Sequence, residues 1–166
     1  EANGPLSGFF DVKCMDAYMS EKTYEKAEAK LQNIALSTAI KKAGITPKEV
    51  EYAFGGDLLN QCISSSYTLR DFKIPFLGLY GACSTMAEAL AVGCTFVDNG
   101  YFNNVACATG SHFSTVERQY RFPLELGNQR PPVSQWTVTG AGCTILGSNN
   151  SDIKIFNATF GKVADY

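Results

Sequence analysis

The chain has 166 residues, of which 45% are hydrophobic and 18% charged, and a formal net charge of −2. That composition fits one domain with a real core and excludes a disordered segment. The slightly acidic balance gives no general pull toward nucleic acid, and no apolar run approaches the ~20 residues of a membrane span.

The first twenty residues read as irregular, with loop signals at Gly4-Pro5 and Gly8 and none of the features of a signal peptide. A helix is expected from Glu21 to Ala43. Ala27, Leu31, Ile34, Ala35 and Thr38 recur at three- and four-residue spacing and give it one apolar face. Gly44 is a ready C-cap, and Thr46-Pro47-Lys48-Glu49 reads as a capping box opening a single turn. A short strand over Glu51–Gly56 then leads to a second helix over Leu58–Asp71, with Leu59, Cys62, Ile63, Ser66 and Leu69 on one side.

A buried strand is expected at Phe76–Tyr80, followed by a tight turn at Gly81-Ala82 and a helix from Ser84 to Asn99. That helix is apolar nearly all round, which predicts burial on most faces. Thr85 and Glu88 have the spacing to cap its start. A strand over Asn104–Ala108 ends in Thr109-Gly110-Ser111-His112. A long loop over Phe113–Trp136 follows, then strands at Gly142–Leu146 and Ile153–Thr159 forming a terminal hairpin. The order β-α-β-α-β plus hairpin implies an α/β fold with a mixed, mostly parallel sheet.

Several features could carry chemistry. Cys83 falls where a strand hands over to a helix N-terminus, and unpaired N–H groups there favour a thiolate. It would equally serve as a small core residue. The other five cysteines are dispersed, without a C-x-x-C pair, and with one histidine in the chain no metal site is expected. The pattern reads as a reducing compartment.

Ligands of open α/β sheets lie at the carboxyl ends of strands. Cys83 follows one such end, and Ser111 and His112 follow the next. Were those strands neighbours, the pair could form a thiolate, or a pocket for an anion. Arg118, Arg121 and Arg130 are concentrated in the following loop, where their planar forks could hold carboxylates or pair with Glu117 and Glu125. Gly140-Ala141-Gly142 lacks the dinucleotide fingerprint and is rejected as a phosphate cradle, so no cofactor is expected.

Gly81-Ala82-Cys83-Ser84-Thr85 resembles the segment that opens the buried central helix in the N-terminal half of the thiolase superfamily. A more specific resemblance is to the stage V sporulation protein AD family. It rests on Gly56-Asp57-Leu58-Leu59-Asn60-Gln61, the run from Pro75 to Thr85, Ser111-His112-Phe113-Ser114, Glu117–Pro123 and Gln135–Gly140. The resemblance implies a single thiolase-like domain, half of a two-half fold. It also implies a dipicolinic-acid-binding component of a sporulation transport complex, held by membrane-embedded partner subunits at the cytoplasmic face of the spore inner membrane. A pocket lined by Cys83, Ser111, His112 and Ser114 is then expected, with Arg118, Arg121 and Arg130 as further ligand-binding residues. A thiolase-like acyltransferase using Cys83, or a non-catalytic scaffold, is the alternative. The second catalytic half of a condensing enzyme has no counterpart in these residues, so condensation by this chain is not expected. A half fold would also expose apolar surface suited to a homodimer.

Overall fold

The computed structural model describes residues 4–126, 129, 138–149 and 151–165. Three α-helices and a four-stranded sheet make up the regular structure among them. Helix α1 (Tyr24–Ala43) precedes β1 (Tyr52–Asp57), α2 (Ile63–Phe72), β2 (Phe76–Gly78), α3 (Thr85–Asp98), β3 (Asn104–Ser111) and β4 (Gly140–Gly147). The sheet order is β2-β1-β3-β4; β1 is parallel to both neighbours and β4 is antiparallel to β3. The expected α/β class with a mostly parallel sheet is what the chain adopts.

Connection direction explains the layering. From β1 the chain steps outward through α2 to β2, then back across β1 through α3 to β3. Parallel crossovers share one hand, so opposite steps put the two helices on opposite faces. Strand alternation distributes the core accordingly. Ala53 and Ala106 point toward Leu36, Ile40 and Leu69 of α1 and α2, whereas Phe54, Val105 and Cys107 point toward Ala89 of α3. Gly55 allows the sheet to close: a Cβ there would lie 1.8 Å from the Ala108 carbonyl oxygen.

Helix ends follow their caps. Thr23 accepts from the Lys26 N–H at 3.3 Å, so α1 starts at Tyr24, three residues later than expected. Gly44 ends it with φ 69°, as its position implied. The Thr46–Glu49 box forms over one turn. Helix α2 begins five residues later than expected, because Asp57 folds the intervening loop onto itself by accepting from the Leu59 N–H at 3.0 Å.

The faces differ more than the boundaries. Helix α1 buries Ala27, Glu28, Gln32, Leu36 and Ile40, while Leu31, Ile34, Ala35 and Thr38 line an open groove. Helix α2 buries Ser64, Ser65, Thr68 and Leu69 and leaves Ile63 exposed. Helix α3 buries only Thr85, Ala89 and Gly93, and Met86, Leu90 and Phe96 stay half-buried, because the sheet covers one side of it. Its expected cap by Thr85 and Glu88 is absent; Ser84 is the N-cap residue. Strand β2 is exposed, not buried, because the strand order puts it at the sheet edge. Residues 153–159 form no strand: Ile153 and Phe156 are exposed and find no surface to cover, so the terminal hairpin reduces to β4.

Candidate functional site

The carboxyl ends of the strands carry three different arrangements. After β2, Ala82–Ser84 form a single 3-10 turn, with Ala82 in the left-handed region at φ 49°. The Ser84 hydroxyl donates to the Gly81 carbonyl at 2.8 Å, and the Gly81 N–H donates to Thr85 Oγ1 at 3.1 Å. These bonds fix the turn that leads into α3 and leave Cys83 exposed.

After β3 the chain turns at Ser111–Thr115. The Ser111 hydroxyl donates to the Val138 carbonyl at 2.7 Å, tying the turn to the start of β4. His112 is 2% exposed and both ring nitrogens are engaged. The Ser114 N–H donates to Nδ1 at 3.0 Å, so the ring proton sits on Nε2, which donates to the Ala17 carbonyl at 2.8 Å. His112 thereby pins the irregular N-terminal segment against the end of β3.

His112, Phe113 and Ser114 form part of one wall of an open groove of about 1000 Å³. Phe9, Phe10 and the apolar stripe of α1 also line it. Lys42 sits on the lining in an exposed ion pair with Asp11 at 2.5 Å. The structure brings His112 and Ser114 to this groove, with Ser111 fastening the turn behind them. It does not bring Cys83 there: β1 lies between β2 and β3, and Cys83 lies outside the groove lining.

The arginines divide as well. Arg121 is 7% exposed and bound to the fully buried Glu117, with Nη2 3.1 Å from each carboxylate oxygen. It also lies over the Phe113 ring at 4.4 Å. Arg118 is exposed and reaches the same ring at 5.7 Å. Arg130 lies outside the described residues.

A buried polar cluster next to the Ser111–Thr115 turn was not anticipated from the sequence. Asp57, at the end of β1, accepts from the Ser65 N–H and hydroxyl, each at 2.7 Å, and from Leu59. Burial nonetheless raises its carboxyl above the ordinary value, against the pull of those donors. Glu28, on α1, is fully buried and lies 2.6 Å from the Thr115 hydroxyl. Burial pushes its carboxyl up to about 7; the Thr115 hydroxyl opposes this and the nearby Asp57 adds to it. The available signal was spacing: Glu28, Gln32, Leu36 and Ile40 repeat every four residues along one face. Among the described residues no cluster of His, Cys, Asp and Glu has the arrangement of a metal site. No described helix is long and apolar enough to cross a membrane.

Comparison with known proteins places this geometry in a family. The chain is 41% identical over 165 residues to stage V sporulation protein AD of Bacillus subtilis (strain 168). It spans 99% of its own length in that match but only 49% of the relative's. Among solved structures it is similar to the 3-oxoacyl-[acyl-carrier-protein] synthase III of Aquifex aeolicus VF5, with TM-score 0.60, 16% identity, and coverage of 80% of this chain and 41% of that one. It is also similar to the priming β-ketosynthase of the R1128 polyketide pathway, with TM-score 0.56, 15% identity and coverage of 84% and 43%. These likenesses show a thiolase-like fold. The family profile of stage V sporulation protein AD matches residues 1–166, and the chain belongs to that family.

Proposed function

We propose that this chain contributes the dipicolinic-acid-binding surface of a sporulation transport complex, as one thiolase-like half of a two-half fold. Membrane-embedded partner subunits hold it at the cytoplasmic face of the spore inner membrane. Membership of the sporulation family supports the reading. The observation that carries it is the groove at the carboxyl end of β3. Phe9, Phe10 and Phe113 give its lining aromatic surface for a planar heteroaromatic, with Arg121 over one face of Phe113, and Ser114 and Lys42 offer donors for carboxylates. An anion entering there competes with Asp11 for Lys42.

Calorimetric titration of dipicolinate into this chain, and into the same chain extended to the length of its relative, tests the proposal. Binding to both, weakened by Phe113→Ala and Lys42→Ala, is the expected result. Binding to the longer protein alone assigns completion of the site to residues beyond this chain. Absence of binding to either removes the reading.

Cys83 supports a second reading. An exposed thiol in the turn before α3, on a fold shared with a 3-oxoacyl synthase, suits acyl transfer. Incubation with an acyl-CoA and mass analysis decides it: a thioester on Cys83 favours transfer, and an unmodified chain removes it.

A further inference from the structure

The turn that carries His112, Phe113 and Ser114 into the groove closes through the Thr115 N–H, which donates to the His112 carbonyl at 3.1 Å, and is reinforced by a hydroxyl with more acceptors than protons. Thr115 Oγ1 lies 2.6 Å from Glu28 Oε2 and 2.8 Å from the His112 carbonyl oxygen. A threonine hydroxyl has one hydrogen to donate. With Glu28 ionised, that hydrogen must choose between the carboxylate and the carbonyl, and one bond is lost. With Glu28 protonated, both bonds form: the acid O–H donates to Thr115 Oγ1, and Thr115 donates to His112. The 2.6 Å separation accommodates either form, a hydroxyl donating to a carboxylate or an acid donating to the hydroxyl.

The surroundings favour the protonated form. Glu28 is fully buried, and no described basic side chain forms an ion pair with it. Asp57 from β1 and Glu25 from its own helix add negative charge that raises the carboxyl, against the downward pull of the Thr115 hydroxyl and of the Ser64 hydroxyl on α2. The charged residues at the far end of α2, Arg70 and Asp71, pair with each other in solvent. Strands β3 and β4 carry no charged residue. Lys30 of α1 is taken by Glu21 and the Met19 carbonyl. Of the two carboxyls in this cluster, Asp57 receives three hydrogen bonds. Glu28 has an oxygen, Oε1, with no partner among the described residues, as do Gln32 Nε2 and Ser64 Oγ beside it. Two close carboxyls with unequal donors divide their roles, one taking the charge and the other the proton.

We propose that Glu28 is a positioning residue for the groove: its carboxylic acid proton locks Thr115 onto the His112 carbonyl, and loss of that proton to solvent loosens the Ser111–Thr115 turn. The inference concerns the shape of the groove wall and stands whichever ligand the groove takes. Its physical consequence is a groove whose wall is ordered in mildly acidic to neutral solution and opens as the pH rises. Burial and the Asp57 charge, which push the Glu28 carboxyl up to about 7, place the change in that range.

Two measurements on the whole chain test it. The first follows the Glu28 carboxyl carbon by NMR through a pH titration; a midpoint near neutrality is expected, and one in the ordinary carboxylate range overturns the proposal. The second follows hydrogen exchange of the Ser114 amide, which donates to His112 Nδ1. Corrected for intrinsic base catalysis, its opening equilibrium should rise on the order of tenfold between about pH 5.5 and about pH 8.5. In Glu28→Gln, whose amide can donate to Thr115 as the acid does, it should be flat. An equal rise in both proteins overturns the proposal. If Glu28→Gln does not fold, Thr115→Val replaces it: the Glu28 carboxyl should still titrate, but the Ser114 amide should no longer respond. A response that survives in Thr115→Val likewise overturns it.

Discussion

Arg121 grips Glu117 with two prongs inside the protein: Nε lies 3.2 Å and Nη2 3.1 Å from Oε1, and Nη2 lies 3.1 Å from Oε2. Removing one partner of a buried pair strands the other's charge, and the loss exceeds anything the intact pair adds. Arg121→Ala should therefore cost about 3–5 kcal/mol in urea unfolding. Arg121→Lys should recover only part of it, because an ammonium cannot reproduce the fork. Any fall in dipicolinate affinity in Arg121→Ala should come with that loss of stability. A fall in affinity at unchanged stability would place Arg121 against the ligand instead.

Gly55 offers a test of the sheet. The Cβ of Gly55→Ala would lie 1.8 Å from the Ala108 carbonyl oxygen, so β1 and β3 must part or the chain must stay unfolded. A loss of at least about 3 kcal/mol, or failure to fold, is expected. Gly8→Ala, where nothing lies within 4 Å, should be nearly silent in the same assay.

The cysteines should label in the order of their exposure. Cys14 and Cys83 are exposed, while Cys107 is fully buried and burial pushes its thiol up to about 12. Brief alkylation of the native protein followed by peptide mass analysis should mark Cys14 and Cys83 and spare Cys107. Modification of Cys107 without denaturant would contradict its position beneath α3, where it donates to the Ala89 carbonyl.

Glu28 should impose a pH dependence of its own on stability. The unfolded chain gives up this proton near the ordinary value of 4.5, and the folded chain keeps it to about 7. Between those values the native state binds more protons, so stability falls as the pH rises. The contribution is fully present below about 4.5 and gone above about 7. Relative to Glu28→Gln, which lacks this slope, the wild-type chain should lose on the order of 2–3 kcal/mol across that window. Urea midpoints at several pH values measure it. Parallel curves for the two proteins would show that Glu28 titrates normally.

Element order up to β4 was legible because hydrophobic periodicity and caps are local. Thr46–Glu49 and Gly44 act as their residue types dictate. Helix faces were less legible. The apolar stripe at Leu31, Ile34 and Ala35 is real, but it lines the groove, and the face that meets α2 and the sheet carries Glu28 and Gln32. Periodicity reports apolar residues, not which side the core lies on. The start of α2 was hidden because its left-handed N-cap is Cys62, a residue with no preference for that conformation. The place of His112 at the groove was legible because it directly follows a strand. The pairing of Cys83 with His112 depended on strand order, a long-range property that no local motif encodes.

That strand order also decides how the two residues can act. With β1 between them, the ends of β2 and β3 are two inter-strand spacings apart, roughly 10 Å. Substitutions that far apart, with no shared partner, usually combine additively. In a double-mutant cycle on any ligand of this chain, Cys83→Ala and His112→Ala should therefore show a coupling energy close to zero, so that each residue can be altered without re-tuning the other.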